Sequence, residues 1–196
     1  MKKAEATRKM ILQKAFELIY AKGYQTTSID DIIATTQVTK GAFYYHFKNK
    51  DAMGLAIIQE ILKPALSGSF KQILDENENP MESIYQLMHM LLLENEFLKA
   101  EYGCPASNFT QEMSPWNNKF NTVLSQLNDQ WNQSMVDAIN RGKEKGFIRL
   151  DVNAAQVTRF VISGYWGIRI FGKLEDSKKA YSSYLEELKN YLQGLQ

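Results

Sequence analysis

Residues 27–50 concentrate side chains whose chemistry suits a polyanion. Lys48 and Lys50 carry ammonium groups where a helix is predicted to begin, and free backbone N–H groups at a helix start also attract phosphate. Lys40 and Tyr44, on the preceding predicted helix, can reach bases or phosphates. We therefore expect this stretch to clamp a nucleic-acid backbone and to face base edges.

Two short helices are predicted to position these side chains. Ser28 begins the first, because Asp31 follows it at capping-box spacing, and this helix is expected to end near Thr35. Thr39 caps the second, which runs through Tyr45 after a turn of three or four residues. The pattern is a helix-turn-helix, in which the second helix lies in the DNA major groove.

The distribution of charge points to the same end of the chain. The 196 residues carry a formal net charge of +1. Residues 1–50 have nine Lys/Arg and four Asp/Glu, a net of +5, and residues 51–196 have a net of −4. A basic head on an acidic body suggests that one end meets a polyanion, although chance explains the charge alone equally well.

Composition limits the fold and the site chemistry. With 44% hydrophobic residues, 4 Pro and 11 Gly, the chain is expected to be globular and mostly helical. No apolar run approaches the roughly 18–20 residues that span a bilayer, and basic residues interrupt any signal-peptide pattern. Cys104 is the one cysteine, which excludes an intrachain disulfide and a cysteine-rich zinc site. We expect a cytoplasmic protein with no cofactor and no metal.

Apolar periodicity predicts an all-α fold of about nine helices without a persuasive strand. A helix-turn-helix domain is expected over residues 1–50, with the motif at about 28–47. A fourth helix, about 49–63, links it to a helical body at 51–196, and Pro64 should kink or end that helix. Residues 75–80 are predicted to form a loop. Later helices are expected at about 81–99, 106–113, 116–145, 153–171 and 177–192.

Residues 4 to about 62 resemble the DNA-binding domain of the TetR family of bacterial transcription regulators. The matching residues are Gly23-Tyr24, Thr27-Ser28-Ile29, Ile32-Ile33, Val38-Thr39-Lys40-Gly41, Phe43-Tyr44-Tyr45-His46-Phe47 and Lys48-Asn49-Lys50-Asp51. The chain departs from the family at Thr36-Gln37, where Ala-Gly is more usual in the turn.

The resemblance implies a role for each matching residue. Residues 39–41 open the recognition helix and face bases, while Tyr44 and His46 approach the DNA backbone and Lys50 contacts a phosphate. For Tyr45 and His46, plain packing is the alternative. The expected DNA contacts are Thr27, Ser28, Thr39, Lys40, Gly41, Tyr44, Tyr45, His46, Lys48 and Lys50.

The rest of the chain resembles the family in architecture and in one local pattern. Tyr102-Gly103-Cys104-Pro105, with Asn108, Glu112 and residues 141–148, is similar to one branch of TetR-type ligand domains. The resemblance implies a homodimer through the last two helices, about 153–192, where Gly164 and Gly167 permit close helix approach. It also implies an internal cavity that receives a small molecule.

Aromatic and sulfur-bearing side chains are available to line such a cavity. The candidates are Met88, Phe97, Cys104, Phe109, Met113, Trp116, Phe120, Trp131, Tyr165 and Trp166. Each is alternatively a plain core residue. Cys104 has a third interpretation, a thiol that senses electrophiles or oxidants.

These observations predict a ligand-responsive repressor that dimerises on a pseudo-palindromic operator, is released by a small-molecule inducer and has no membrane partner. An enzyme is the first alternative. The chain has only His46 and His89 as histidines, and it lacks a glycine-rich phosphate loop and metal-ligand spacing. The second alternative is a dimeric ligand-binding module that has lost DNA binding, and the intact lysines of residues 40–50 argue against it.

Overall fold

The computed structural model describes residues 2–196, together with all of their side chains except those of residues 2, 67–69 and 76. Every element in this range is helical, as the sequence predicts. The helices are α1 (Lys2–Lys22), α2 (Ile29–Thr36), α3 (Lys40–His46), α4 (Lys50–Ile57), α5 (Lys63–Glu76), α6 (Pro80–His89), α7 (Pro105–Met113), α8 (Asn118–Glu144), α9 (Ala154–Phe171) and α10 (Ser177–Gln193).

The described residues also contain three short helical segments that are not α-helical. A π-helical turn, Ile58–Leu62, joins α4 to α5, and a second, Met90–Glu94, extends α6. A 3-10 turn covers Ala100–Tyr102. With α4 and α5 counted as one continuous helix, residues 2–196 contain nine α-helical runs, which confirms the predicted number. None of these described helices has the length and apolar character needed to cross a membrane.

The helices form two compact units. The N-terminal unit comprises Met1–Pro64 and Pro105–Ser125, and the C-terminal unit comprises Ala65–Cys104 and Gln126–Gln196. The boundaries between these two units therefore differ from the single domain boundary expected at residue 50. In particular, α7 and the start of α8 belong with the first four helices.

Capping residues fix the helix ends of the N-terminal unit. α1 is followed by Gly23, which has a left-handed φ of 98°. Ser28 and Asp31 form the predicted capping box at the start of α2. Thr39 and Asn49 accept hydrogen bonds from the first turns of α3 and α4. The sequence predicts these caps because each capping side chain bonds to the backbone three positions away.

The core of the N-terminal unit lies between α1, α2, α3 and α4. Ile11, Ile32, Phe43 and Met53, one from each helix, are fully buried. Burying an apolar side chain of this size stabilises a fold by roughly 1.5–3 kcal/mol. This core holds α3 against the unit by one face and leaves its other face to solvent.

Pro64 does not end its helix, contrary to one of the two outcomes expected for it. The chain stays helical from Lys50 to Glu76, and the π-helical turn ends at Leu62, two residues before the proline. Proline removes one N–H and crowds the carbonyl four residues before it, which lies within this π-helical turn, and the wider backbone of such a turn accommodates the ring.

Two predicted boundaries are wrong. The loop expected at residues 75–80 is shorter, since α5 reaches Glu76 and α6 begins at Pro80, with Asn79 as its cap. The helix expected to reach residue 99 stops at Glu94, because Asn95 is extended and its side chain accepts the N–H of Phe97. Proline suits the first position of α6, where its missing N–H has no helical partner.

In the C-terminal unit, α10 packs against both α6 and α9. Val161 and Tyr165 of α9 and Tyr181 and Leu185 of α10 are almost fully buried. Gly164 lies in this contact, because a Cβ there would come within 2.8 Å of the Tyr184 hydroxyl oxygen. Gly164 therefore allows α9 and α10 of one protomer to approach closely, whereas it was expected to allow close approach between the helices of a dimer.

Candidate nucleic-acid interface

The exposed face of α3 carries most of the predicted base and backbone contacts. Tyr44 is 46% exposed and Tyr45 is 78% exposed, although both are large aromatic residues. The edge of the Tyr44 ring contacts the buried Phe43 ring, with 5.4 Å between ring centroids. Phe43 thus anchors the helix while Tyr44 remains available to a partner.

The start of α3 places Thr39, Lys40 and Gly41 in solvent. The Lys40 ammonium lies 2.9 Å from a carboxylate oxygen of Asp30 on α2. This hydrogen bond raises the pKa of Lys40, so the side chain stays charged. The ion pair is highly exposed, so it holds Lys40 only weakly and a phosphate can compete for it.

Thr27 and Ser28, at the start of α2, were both expected to contact DNA, but only one of them is exposed. Ser28 is exposed and its hydroxyl accepts the N–H of Asp31. Thr27 is only 1% exposed, and its hydroxyl donates to the carbonyl of Gly23 at 2.7 Å. The expectation that the Thr27 side chain contacts DNA is therefore wrong, because that side chain is buried and bonded within its own turn.

The start of α4 presents the ammonium group of Lys50. Its Nζ lies 4.4 Å from the centroid of the Tyr24 ring and 3.5 Å from the Gln25 carbonyl oxygen. Burial lowers the pKa of Lys50, and the carboxylates of Asp51 and Glu112 oppose that shift. The side chain is half-buried, so its position depends on the residues around it.

His46 is the last residue of α3, and Lys48 lies between α3 and α4. Lys48 is exposed, and His46 is half-buried with its ring edge-on to Tyr45, at 4.9 Å between centroids. Of the ten residues expected to contact DNA, nine are exposed or half-buried on the surface of the N-terminal unit, and Thr27 is buried. Hydroxyls, ammonium groups and the free N–H groups of two helix starts give this surface donors suited to phosphate oxygens.

The candidate ligand residues divide between the two units. Met88, Cys104, Trp131 and Tyr165 are buried in the C-terminal unit, where Phe97 and Trp166 are half-buried. Phe109, Met113 and Phe120 are buried in the N-terminal unit, where the rings of Phe109 and Phe120 pack against Tyr24. Trp116 is 62% exposed, which does not suit the wall of a cavity.

Glu112 and Arg169 have structural roles that the sequence analysis did not predict. Glu112 accepts the backbone N–H groups of Tyr24 and Gln25. In the C-terminal unit, the buried guanidinium of Arg169 donates to the carbonyl oxygens of Lys99 and Gly103. Each contact joins residues at least 66 positions apart, so no local pattern announces it.

Family models match both parts of the chain. The model described as bacterial regulatory proteins, tetR family, matches residues 11–57. The model described as tetracyclin repressor-like, C-terminal domain, matches residues 81–188, more than half of the chain. The chain belongs to the TetR family. The resemblance inferred from residues 4–62 is thereby confirmed, and it extends to the C-terminal part.

The sequences of individual relatives also match most of the chain. The HTH-type transcriptional repressor DhaR of Mycobacterium sp. strain GP1 is 26% identical over 178 residues, which are 91% of this chain and 88% of DhaR. An uncharacterised HTH-type transcriptional regulator from the lacX 3′ region of Lactococcus lactis subsp. lactis is 35% identical over 121 residues, 62% of each chain. Both relatives are transcriptional regulators of the HTH type.

Solved structures show the same fold. A TetR-family transcriptional regulator from Cytophaga hutchinsonii superposes with a TM-score of 0.87 at 20% identity, covering 100% of this chain and 98% of its own. A TetR transcriptional regulator from Chloroflexus aurantiacus gives a TM-score of 0.85 at 22% identity, covering 98% and 96%. The chain therefore has the fold of these regulators. The two family models identify it as a DNA-binding transcriptional regulator of the TetR family, whose members dimerise and bind operator DNA.

Proposed function

We propose that this TetR-family protein is a homodimeric repressor whose α3 face binds a pseudo-palindromic operator and whose C-terminal unit binds a small-molecule inducer. The exposure of Tyr44 on a helix that is anchored by the fully buried Phe43 carries the proposal. The inducer binds the two conformers of the dimer with different affinity and thereby shifts the population toward one that releases DNA. Such a protein works in the bacterial cytoplasm.

The dimer contact is assigned to an apolar stripe on α9, the α9 stripe (Phe160, Gly167 and Phe171). Phe160 and Phe171 are each 57% exposed, and a Cβ at Gly167 would meet no atom of the protomer within 4 Å. These residues are spaced seven and four positions apart, so they lie on one face of the helix. A second copy covers them and brings two α3 helices to successive half-sites.

The inducer is assigned to the aromatic cluster around Trp131. The Trp131 ring contacts Phe70 and Tyr165, at 5.1 and 5.3 Å between centroids. Its indole N–H is buried with no hydrogen-bond partner among the described residues. A buried donor without a partner is unfavourable, and an acceptor oxygen of a bound molecule removes that cost.

Selection of bound fragments from the source genome tests the DNA assignment. We expect the wild-type protein to recover fragments that share a pseudo-palindrome with half-sites about one helical turn or a multiple apart. The double variant Tyr44→Ala/Lys50→Ala should recover none of them and keep its melting temperature. Lys71→Ala, which removes an exposed lysine from the C-terminal unit, is the matched control. Recovery of the same fragments by the double variant would contradict the proposal.

Indole resonances test the ligand assignment. Small molecules that release the recovered operator should shift the Nε1–H resonance of Trp131 in protein labelled with 15N-tryptophan. The resonance of the exposed Trp116 is the internal control. A releasing molecule that leaves the Trp131 resonance unchanged would place the inducer elsewhere.

A further inference from the structure

Glu112, on α7, holds the loop that follows α1. One carboxylate oxygen accepts the N–H of Tyr24 at 3.0 Å, and the other accepts the N–H of Gln25 at 2.7 Å. Gly23, directly before them, has a left-handed φ of 98°, and consecutive N–H groups in such a turn converge on an anion. Both bonds are charge-assisted, which makes them stronger than bonds between neutral groups.

The residues that Glu112 holds are the residues that surround Lys50. The Lys50 ammonium lies 4.4 Å from the centroid of the Tyr24 ring and 3.5 Å from the Gln25 carbonyl oxygen. The side chain of Gln25 also donates to the sulfur of Met113, the residue after Glu112 on α7. Three hydrogen bonds to α7, two to Glu112 and one to Met113, therefore fix the position of the loop that contacts Lys50.

Tyr24 and Asn117 both donate hydrogen bonds to Asp51, the residue that follows Lys50. The Tyr24 hydroxyl donates to one carboxylate oxygen of Asp51 at 2.6 Å. The side-chain amide of Asn117 donates to the other at 3.3 Å. Hydrogen bonds thus connect Glu112, Tyr24, Asp51 and Asn117 in one network, in which the Tyr24 ring contacts the Lys50 ammonium.

We propose that Glu112 is a positioning residue for operator binding, which holds Tyr24 and Gln25 so that the Lys50 ammonium is aimed at a DNA phosphate. The inference rests on the proposed function, because it requires that Lys50 contacts phosphate. A purely electrostatic role predicts the opposite sign, since removal of one negative charge beside Lys50 would strengthen attraction to DNA. Loss of position and loss of charge are therefore separable by experiment.

A double-mutant cycle on the recovered operator tests the inference. Lys50→Ala should weaken binding about tenfold, and Glu112→Gln about fivefold. In the Lys50→Ala background, Glu112→Gln should cost less than about twofold, because the ammonium that it positions is gone. Glu112→Asp keeps the charge but shortens the side chain, and it too should weaken binding. Glu17→Gln, which removes a carboxylate of α1 that pairs with Lys14, is the charge-matched control and should bind like the wild type.

The outcomes separate this inference from the function on which it rests. Tighter binding by Glu112→Gln, or an equal loss in the presence and absence of Lys50, would overturn the positioning role while leaving the operator assignment intact. A Lys50→Ala variant that binds like the wild type contradicts the phosphate contact itself, and the inference with it.

Salt dependence distinguishes positioning from simple destabilisation of the fold. If Lys50 loses its phosphate, the slope of log affinity against log salt falls by about 0.9 for each lost contact. Glu112→Gln should lower this slope as Lys50→Ala does. A variant with a lower melting temperature, weaker binding and an unchanged slope would show a structural role only.

Discussion

At the scale of single residues, Gln37 shows how the chain departs from its family without losing the motif. It follows α2 with a φ of 56°, and it is the one non-glycine residue in the described range with a positive φ. The sequence marks this turn as unusual, because glycine is more common there. The structure shows that glutamine takes the left-handed conformation that glycine adopts at little cost.

Replacement of Gln37 by glycine should stabilise the protein. A left-handed conformation costs a residue with a Cβ roughly 1–2 kcal/mol, and the greater freedom of glycine in the unfolded chain offsets about half of that. We expect a gain of about 0.5–1 kcal/mol in the free energy of unfolding, measured in urea. Gln13→Gly, within α1, is the matched control and should lose about 1 kcal/mol. A loss at Gln37 would contradict the account of this turn.

Tyr184 should make the protein less stable in alkali. Burial raises its pKa to about 12, and its hydroxyl donates to the carbonyl of Val161. Because the unfolded chain releases this proton near pH 10, the contribution is complete below pH 10 and is lost as the pH rises toward 12. Urea titrations at pH 9 and pH 11 should show a smaller decline for Tyr184→Phe than for the wild type. Equal declines would contradict the raised pKa.

At the scale of elements, the helix caps follow from the sequence, and the contacts between distant helices do not. Ser28, Thr39 and Asn49 are readable because each bonds within three residues. The expectation for Thr27 failed because burial against the preceding turn, and not residue type, decides where its hydroxyl points. Glu112 was noted only as part of a family pattern, since its partners lie 87 and 88 positions away.

Loss of the Ser28 cap should weaken α2 and change the titration of Asp31. The Ser28 hydroxyl and N–H both hydrogen-bond to the Asp31 carboxylate and lower its pKa. Ser28→Ala should reduce the free energy of unfolding by about 1 kcal/mol at neutral pH. The stabilisation from Asp31 is present above its unfolded pKa and is lost as the pH falls through its folded pKa. Carboxyl NMR should show a higher pKa for Asp31 in Ser28→Ala than in the wild type. An unchanged pKa would contradict the capping box between Ser28 and Asp31.

At the scale of the whole molecule, the near-neutral total charge conceals a basic DNA-binding end and an acidic remainder. The sequence predicted the all-helical fold, the motif and most of its surface, because helix periodicity and caps are local. It did not predict that residues 105–125 belong with the first four helices. Contacts between residues far apart in the sequence determine that division, and no local spacing of residue types predicts it.

Two glycines of α9 should respond differently to substitution. Gly167→Leu should leave the protomer folded and shift the dimer toward monomer, because its surroundings are empty in one protomer. Gly164→Ala should instead destabilise the protomer, because a Cβ there meets the Tyr184 ring and hydroxyl within 3 Å. Sedimentation equilibrium and thermal melts distinguish the two effects. A Gly167→Leu protein that remains fully dimeric would contradict the assignment of the dimer to the α9 stripe.

The central claim is that the α3 face and the ammonium at the start of α4 bind operator phosphates. The affinity for the recovered operator, measured against salt concentration for wild type and Lys50→Ala, tests it most directly. We expect log affinity to fall linearly with log salt, with a slope reduced by about 1.8 in Lys50→Ala, since each protomer of the dimer loses one contact worth about 0.9. A flat dependence, or the same slope in both proteins, would contradict the claim.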